Sequence, residues 1–282
     1  MTDDLARASR QTGAILAHRR LPGNVGPILA AAGSLWVTTS RWSAAKADRF
    51  ELWRLDPRSL ALRGSSRVSG SSMVVAGGHL WLAGDSRLER VSLASGTVTA
   101  RLALPGQSWA DVGTDQAGSV LVVGVADGEG RGHVERRSPY DGALLATSTA
   151  LYGVASPEVG AVIGGRIWLS EATGMMGYVR RYRLSTLAPT GRSCVEGADS
   201  GSCTQGTNGI SARVANGLVW ITDPPGGPRR NACIAPASGR RLAPLPLTGD
   251  DELMAIGSRH LYVLKANREP GYLVEEPIPA AC

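Results

Sequence analysis

Charged side chains recur at one position of a segment that this sequence repeats. Glu171, Asp223 and Lys265 each follow the aromatic residue of an apolar stretch by three residues. Carboxylates bind divalent cations such as Mg²⁺ or Ca²⁺, and carboxylate and imidazole groups serve as general acids and bases. We therefore consider Glu171 and Asp223 as metal ligands. The same two carboxylates, with His133 as a base, form the candidate catalytic set.

Aromatic and acidic side chains in neighbouring predicted loops extend this set. Indole and phenol rings stack on sugar rings or aromatic ligands, although such rings equally well cover small cores. Loop carboxylates have an alternative role too, because they cap turns and pair with arginine. The expected ligand-binding residues are Trp42, Trp109, Asp111, Tyr152, Glu158, Asp251, Glu252 and Lys265.

A repeated unit must position these residues, and residues 77–104 show it most completely. A glycine turn leads into an apolar strand with an aromatic residue, which is followed by a polar loop and two alternating strands around Gly96. The aromatic position recurs at intervals of 40 to 52 residues, close to the length of one four-stranded propeller blade. Its six copies are Trp36, Trp81, Leu121, Trp168, Trp220 and Tyr262. These residues predict packing between blades rather than a binding stripe.

Three features exclude a helical array. The segments alternate with period two, they carry Val, Thr and Trp, and Gly or Pro interrupts them frequently. The sequence therefore predicts an all-β, six-bladed β-propeller that occupies residues 1–282 as a single domain, with seven blades as the alternative. The sixth copy lacks its outer edge, whereas residues 5–22 align with residues 88–105 as strand, turn and strand. We expect this N-terminal segment to supply the outer strand of the last blade and close the ring.

Composition limits the classes of function. The 282 residues include 43% hydrophobic ones, yet no apolar run approaches the roughly 20 residues of a membrane span. The formal net charge of +6 comes almost entirely from arginine, and its doublets are spread along the chain. That spread predicts a solvated rim and no nucleic-acid surface, which would need clustered basic residues with aromatics between them. We expect a monomer.

Four cysteines favour an oxidising compartment, although four free thiols in the cytosol are the alternative. Cys194 and Cys203 bracket a short loop, so we favour a disulfide between them. Cys233 and Cys282 would then join the C-terminal blade to its neighbour. The first residues have no signal-peptide pattern, and we expect a secreted or cell-surface location. A further interpretation is that the chain is the propeller part of a longer sensor or surface protein.

Two of the repeated strands resemble those of the streptogramin lyase, NHL and YncE-like propellers. They are GGRIWLSE at residues 164–171 and NGLVWITD at residues 216–223. In streptogramin lyases, similar strands supply a metal-binding glutamate, whose position Glu171 matches, and a histidine of an inner-strand loop shares in metal binding and proton transfer. The inner-strand loops predicted here contain no histidine.

The leading hypothesis is therefore a propeller that binds a small-molecule or protein ligand through the loops of its channel face, without catalysis. The alternative is a metal-assisted lyase or lactonase-like hydrolase at the channel mouth. A bound Mg²⁺ or Ca²⁺ ion would distinguish the two, and no other cofactor is indicated by the sequence.

Overall fold

Short β-strands joined by tight turns make up the regular structure of this chain, as a computed structural model shows. The structure describes residues 2–9, 11–12, 14–43, 46–84, 86–127, 129, 131–149, 151–152, 158–173, 176–193, 211–222, 231–245, 247, 252–256, 258–265 and 272–282. Within these residues every regular element is a strand, and no helix has the length and apolar character needed to cross a membrane.

The chain divides into two compact units. Residues 1–123 with residues 137–143 form the first, and residues 124–136 with residues 144–282 form the second. The division passes through one sheet, whose strands belong partly to each unit. The prediction of a single domain stays a prediction.

The first unit begins with a two-stranded sheet and continues with two four-stranded antiparallel sheets. The two-stranded sheet consists of β1 (Thr2–Ala8) and β2 (Ile15–Pro22). The next sheet has β3 (Asn24–Ala31), β4 (Ser34–Ser43), β5 (Lys46–Leu55) and β6 (Leu62–Val68) in sequence order. The following sheet has β7 (Ser72–Ala76), β8 (His79–Gly84), β9 (Arg87–Val91) and β10 (Val98–Ala103).

The divided sheet has β11 (Gln107–Thr114), β12 (Leu121–Asp127), β13 (Arg131–Arg137) and β14 (Leu144–Thr147) in sequence order. The short strand β15 (Leu151–Tyr152) also pairs with β13. This sheet keeps the meander order of the two sheets before it.

Three further sheets follow in the second unit. One has β16 (Glu158–Ile163), β17 (Arg166–Thr173), β18 (Met176–Arg183) and β19 (Pro189–Ser193). The next has β20 (Ser211–Ala215), β21 (Leu218–Thr222), β22 (Ala232–Ile234) and β23 (Arg241–Pro244). The last has three strands, β24 (Glu252–Ile256), β25 (His260–Lys265) and β26 (Tyr272–Pro277).

The repeat positions fall where the sequence predicts them. All six lie in the second strand of a sheet, and the four tryptophans among them are fully buried. Trp36 packs with Leu80 and Leu82 of the following sheet. Trp168 likewise packs with Val219 and Ile221. These contacts confirm that the repeated aromatic residues pack between successive sheets.

The described chain contains seven sheets, so the count of six is not confirmed. Residues 5–22 do form a strand, a turn and a strand, as the alignment predicts, but β1 and β2 pair with each other as a sheet of their own. Leu5 and Leu21 pack against Val37, Trp53 and Leu55 of the adjacent sheet. Closure of a ring by these strands stays a prediction.

Arginines of the third strands reach the turns of the sheet that follows in sequence. Arg54 donates to the carbonyl oxygen of Ala94 and Arg90 to that of Tyr140. Arg136 donates to the carbonyl oxygens of Leu184 and Ser185 at 3.2 and 3.0 Å, and Arg181 to that of Ser238 at 3.0 Å. We call Arg54, Arg90, Arg136 and Arg181 the junction arginines. Arg136 and Arg181 belong to arginine doublets, which the sequence analysis interprets as part of a solvated rim. That interpretation does not describe these two arginines, because each binds a turn of the next sheet.

A disulfide joins Cys233 of β22 to Cys282, which confirms one predicted pair. Cys233 lies in a buried cluster with Trp220, Leu253 and Leu261, and Cys282 packs against the same cluster. The disulfide therefore links the last two sheets through their shared core. The other predicted pair, Cys194 and Cys203, lies outside the described residues.

Candidate functional site

One face of the sheet β3 to β6 changes from apolar to polar along its strands. Its apolar part holds Val37 and Leu55, which pack against Leu21 of β2. Two residues beyond Val37 on the same side of β4 comes Thr39, whose hydroxyl oxygen accepts a hydrogen bond of 3.0 Å from Trp53 Nε1. The indole thus ends the apolar part, and polar side chains follow it.

Strand register brings three of these polar side chains into one row. Thr39 of β4 lies directly opposite Glu51 of β5, and Glu51 lies directly opposite Arg67 of β6. Directly opposite residues share one face of a sheet, with their Cβ atoms about 5 Å apart. The row therefore places a hydroxyl, a carboxylate and a guanidinium side by side.

A second guanidinium joins the row from β4. Arg41 lies two residues after Thr39, so it projects from the same face. Gly23 makes room for it, because a Cβ atom on Gly23 would come within 3.0 Å of Arg41 Cγ and 2.3 Å of the Ser40 carbonyl oxygen. Gly23 also has φ +87°, which favours glycine.

These side chains line a cavity of about 380 Å³ together with Phe50. We call Thr39, Arg41, Phe50, Glu51 and Arg67 the basic pocket. Within the part of the chain that the structure describes, the side chains of Arg41, Glu51 and Arg67 have no hydrogen bond or ion pair. Two guanidinium groups and one carboxylate give the basic pocket one net positive charge.

This arrangement is suited to holding an anion. A guanidinium group presents several N–H donors in a planar fork that matches a carboxylate or phosphate group. Arg41 and Arg67 have no partner for these donors among the described residues, and Glu51 adds acceptors beside them. The basic pocket can therefore bind an anionic group and a hydrogen-bond donor of the same ligand.

Several predicted site residues have side chains outside the described part of the chain. Glu171 lies in β17, where its backbone pairs with Tyr178, and Glu252 lies in β24 opposite Leu264. Trp42 lies in β4 next to Arg41, and Tyr152 lies in β15. The whole of Asp223 and of Asp251 falls outside the described residues. The predicted metal pair Glu171 and Asp223 therefore stays a prediction.

His133, the predicted base, contacts a carboxylate in the same strand. Its Nε2 atom lies 3.1 Å from Glu135 Oε1, and both side chains are largely buried. The two residues are two positions apart in β13, so they share one side of the strand. The structure thus shows a histidine within β13 whose imidazole ring is oriented by a glutamate.

The remaining predicted ligand residues lie in separate places. Asp111 accepts a hydrogen bond from the hydroxyl of Ser72 in the preceding sheet. Trp109, in the same strand, exposes 38% of its surface, and Glu158 is exposed at the start of β16. Lys265 pairs with Glu276 at 3.4 Å across β25 and β26. Among described residues, no three His, Cys, Asp or Glu side chains gather closely enough to hold a metal ion.

A second cavity, of about 500 Å³, is lined by residues of the sheet β3 to β6 and of the sheet β7 to β10. Arg54, His79 and Arg90 line it. Burial, and then the charge of Arg90, lowers the pKa of His79. Both arginines already donate hydrogen bonds to Ala94 and Tyr140, so this cavity is a poorer anion site than the basic pocket.

Sequence reasoning identifies the region of the basic pocket but misses its decisive residues. The sequence predicts that residues 40–50 form a loop at the ligand face, with Thr39 at the end of the strand, but this is wrong for the described residues, because β4 continues to Ser43 and β5 begins at Lys46. Arg41, Glu51 and Arg67 were not among the candidates, because only strand register shows that they share one face. The available signal was the alternation in β4, which places residues 39 and 41 on one side of that strand.

Comparison with known proteins reaches only the level of the fold. No protein-family model and no curated protein sequence matches this chain. It resembles KlHsv2 with loop 6CD replaced by a Gly-Ser linker, with TM-score 0.56 and 10% identity over 97% of this chain and 77% of that one. Kluyveromyces lactis Hsv2 with the complete loop 6CD gives TM-score 0.55 and 9% identity, over 78% and 71%.

A quinohemoprotein alcohol dehydrogenase, ADHIIG from Pseudomonas putida HK5, gives TM-score 0.53 and 10% identity over 79% of this chain. This chain spans 42% of the dehydrogenase, less than half its length. All three are β-propeller folds. At such low identity the likeness concerns fold alone, and this chain is a module of the β-propeller type.

Proposed function

We propose that this chain is a ligand-binding β-propeller module, and that the basic pocket binds a small anionic ligand. The observation that carries the proposal is a cavity into which Arg41 and Arg67 bring guanidinium groups without a partner in the described chain. Charge-assisted hydrogen bonds from guanidinium to carboxylate or phosphate are about twice as strong as neutral ones. An anion would satisfy donors that no described residue satisfies.

The predicted face for ligand binding includes this place. The sequence places the end of the repeated strand and a ligand loop at residues 39–50, and in the structure the paired ends of β4 and β5 occupy most of this stretch. Trp42, an expected stacking residue, follows Arg41 directly in β4. The metal-assisted lyase or hydrolase depends on Glu171 and Asp223, and no described side chain favours it over binding.

A titration of the whole chain with small anions tests this function. Isothermal titration calorimetry with acetate, D-glucuronate and inorganic phosphate is expected to show one site per chain. The double variant Arg41→Ala/Arg67→Ala should lose that binding. Arg58→Ala is the matched control, because Arg58 is an exposed arginine in a turn at the other end of the sheet. Equal binding by all three proteins, or no binding by the wild type, would contradict the proposal.

We also propose an extracytoplasmic location. The Cys233 to Cys282 disulfide supports it, because such bonds persist mainly in oxidising compartments. Thiol labelling of the native protein, isolated under conditions that block exchange, should leave both cysteines unlabelled. Full labelling of both would argue for a reducing compartment.

Ring closure by the N-terminal strands completes the proposal for the fold. The support is the alignment of residues 5–22 with residues 88–105 and the presence of three strands in the last described sheet. A closed propeller of this length is expected to have a radius of gyration near 19 Å, on the general scaling for compact domains. Small-angle X-ray scattering measures it, and a value well above that expectation would contradict closure.

A further inference from the structure

We infer that the second unit holds a further anion site, in which Arg166, Arg181 and Arg183 bind an oxyanion group with two negative charges, such as sulfate or a phosphate group. This site is separate from the basic pocket, which belongs to the first unit and shares no residue with it. We call the three residues the arginine cluster.

Strand register brings the arginine cluster onto one face of the sheet β16 to β19. Arg166 of β17 lies directly opposite Arg183 of β18, and Trp168 lies directly opposite Arg181. The two residues from each strand are two positions apart, so these side chains all project from the same face. Like charges directly opposite each other destabilise a sheet. An anion between the guanidinium groups would relieve this repulsion.

No described carboxylate neutralises the arginine cluster. None of its three guanidinium groups forms an ion pair within the part of the chain that the structure describes. Arg181 donates to the carbonyl oxygen of Ser238 at 3.0 Å, and its buried Nε atom has no acceptor among these residues. Burial, and then the charge of Arg166, lowers the pKa of Arg181. The positive charges of the cluster therefore act on one another.

The sheet β3 to β6 shows how the same positions are balanced by acceptors. The residue two before its tryptophan is Ser34, and the residue two after the arginine opposite that tryptophan is Asp56. Ser34 Oγ accepts a hydrogen bond of 3.0 Å from Arg54, and Asp56 forms an ion pair with Arg63. The arginine cluster has arginine at both positions, so an external oxyanion would take the place of this hydroxyl and carboxylate.

The sheet β7 to β10 shows a carboxylate near its junction arginine as well. Hydrogen bonds, chiefly from Ser138, and to a smaller extent the charge of Arg90 hold the pKa of Asp141 below its ordinary value. The turn that the arginine cluster reaches, residues 235–240, contains no acidic residue and has Arg240 instead. The arginine cluster thus lacks a carboxylate of either kind.

Exposure and charge indicate which anions fit. Arg183 is exposed, and Arg166 and Arg181 are half-buried, so an ion can reach the cluster from solvent. A monoanion would leave most of the positive charge uncompensated, whereas a dianion neutralises two of the three charges. A tetrahedral oxyanion also presents more acceptor oxygens than a carboxylate, and a guanidinium group binds two of them at once through its planar fork.

The test is isothermal titration calorimetry on the whole chain with the substitutions Arg41→Ala/Arg67→Ala, which remove the basic pocket. The probes are sulfate, inorganic phosphate, glycerol 3-phosphate and acetate. Sulfate and phosphate should bind at one site, at least about tenfold more tightly than acetate. Glycerol 3-phosphate separates two sources of the same group, because its binding shows that the site accepts a phosphate ester as well as the free ion.

Substitutions within the arginine cluster identify the site. Arg166→Ala and Arg183→Ala should each weaken sulfate binding by about tenfold or more, because each removes a charged donor. Arg259→Ala is the matched control and should leave binding unchanged, since Arg259 is an exposed arginine in the turn before β25. Arg183→Asp supplies the missing carboxylate. It should abolish sulfate binding and, without sulfate, melt at a higher temperature than Arg183→Ala.

Three results would overturn this inference: equal affinity for sulfate and acetate, unchanged sulfate binding in both alanine variants, or no binding of sulfate and phosphate. These results leave the basic pocket untouched, because acetate and D-glucuronate are monoanions and report that pocket alone. Inorganic phosphate should bind the wild-type chain at both places, and the basic-pocket variant should lose only one of them. Far-ultraviolet circular dichroism of each variant shows whether a loss reflects unfolding, and Arg183→Asp then decides through its melting temperature.

Discussion

Cys233 lies directly opposite Trp220 across β21 and β22, in the position that an arginine occupies opposite the tryptophan of three other sheets. Those pairs are Trp36 with Arg54, Trp81 with Arg90, and Trp168 with Arg181. Each of those arginines donates to a turn of the following sheet, whereas Cys233 forms a covalent bond to Cys282. The disulfide thus replaces a hydrogen-bonded junction with a covalent one.

Removing this disulfide should lower the free energy of unfolding by about 4 kcal/mol, because the bond closes a loop of 49 residues. The double variant Cys233→Ser/Cys282→Ser leaves the other cysteines in place and isolates this bond. Urea unfolding followed by tryptophan fluorescence measures the change. A midpoint equal to that of the wild type would show that the shared core alone holds the last two sheets together.

Arg54→Ala should destabilise the chain by roughly 2 kcal/mol, because its hydrogen bonds to Ser34 and Ala94 and its contact with Trp36 are lost together. Arg54 Nε donates to Ser34 Oγ at 3.0 Å, and the guanidinium lies 5.6 Å from the Trp36 ring centroid. Chemical denaturation gives the value. Arg58→Ala, in an exposed turn, should change stability by less than about 0.5 kcal/mol, and equal losses in both variants would contradict the junction role.

Ala32→Gly should stabilise the chain by about 1 kcal/mol, because Ala32 has a left-handed backbone with φ 47°. The matching turns of other sheets have Gly77, Gly164 and Asn216 at this place. Gly33→Ala is the matched control. Its Cβ atom would meet no other atom within 4 Å, so its expected destabilisation reports backbone conformation alone. The two substitutions should therefore shift the melting temperature in opposite directions, and differential scanning calorimetry measures both shifts.

Asp56 should make stability depend on pH in the acid range. Hydrogen bonds from the backbone N–H groups of Ser59 and Arg58, at 2.8 and 2.9 Å, hold the pKa of the Asp56 carboxyl well below its ordinary value. A folded-state pKa below the unfolded-state one stabilises the fold above about pH 4, and this stabilisation is lost as the pH falls through the folded-state value.

The variant Asp56→Asn should accordingly be less stable than the wild type at pH 7, and the difference should shrink as the pH falls below about 3. Urea midpoints measured at a series of pH values test this. Ser59→Ala keeps the carboxylate and its backbone hydrogen bonds, so it should retain most of the pH dependence. If the difference in urea midpoint between the wild type and Asp56→Asn does not change with pH, Asp56 does not have this role.

The sequence predicts the strands well because two local signals define them. Alternation places Trp36, Trp81, Trp168 and Trp220 in second strands, and paired turn residues such as Gly77 and Gly78 mark the hairpins. Both signals lie within a few residues of the structure that they specify, so the repeat, the strand order and the inter-sheet tryptophans follow from them. The number of blades depends on long-range pairing, which no local pattern encodes.

The basic pocket and the junction arginines are harder to predict for a different reason. Glu51 becomes a neighbour of Thr39 and Arg67 only through the register of three strands. Doublets such as Arg180 and Arg181 look like a charged surface, yet alternation turns one member toward each face of the strand. Arg181 then meets the carbonyl oxygen of Ser238, 57 residues away.

The junction arginines bind main-chain oxygens, which every amino acid has. The residues that provide these acceptors are accordingly unlike one another: Ala94, Tyr140, Leu184, Ser185 and Ser238. Each such contact therefore depends on side-chain identity at one end only, and the partner turn can change its sequence freely as long as its shape persists. The disulfide differs in this respect, because it needs cysteine at both ends. A substitution at either Cys233 or Cys282 therefore removes the bond and leaves the other cysteine unpaired.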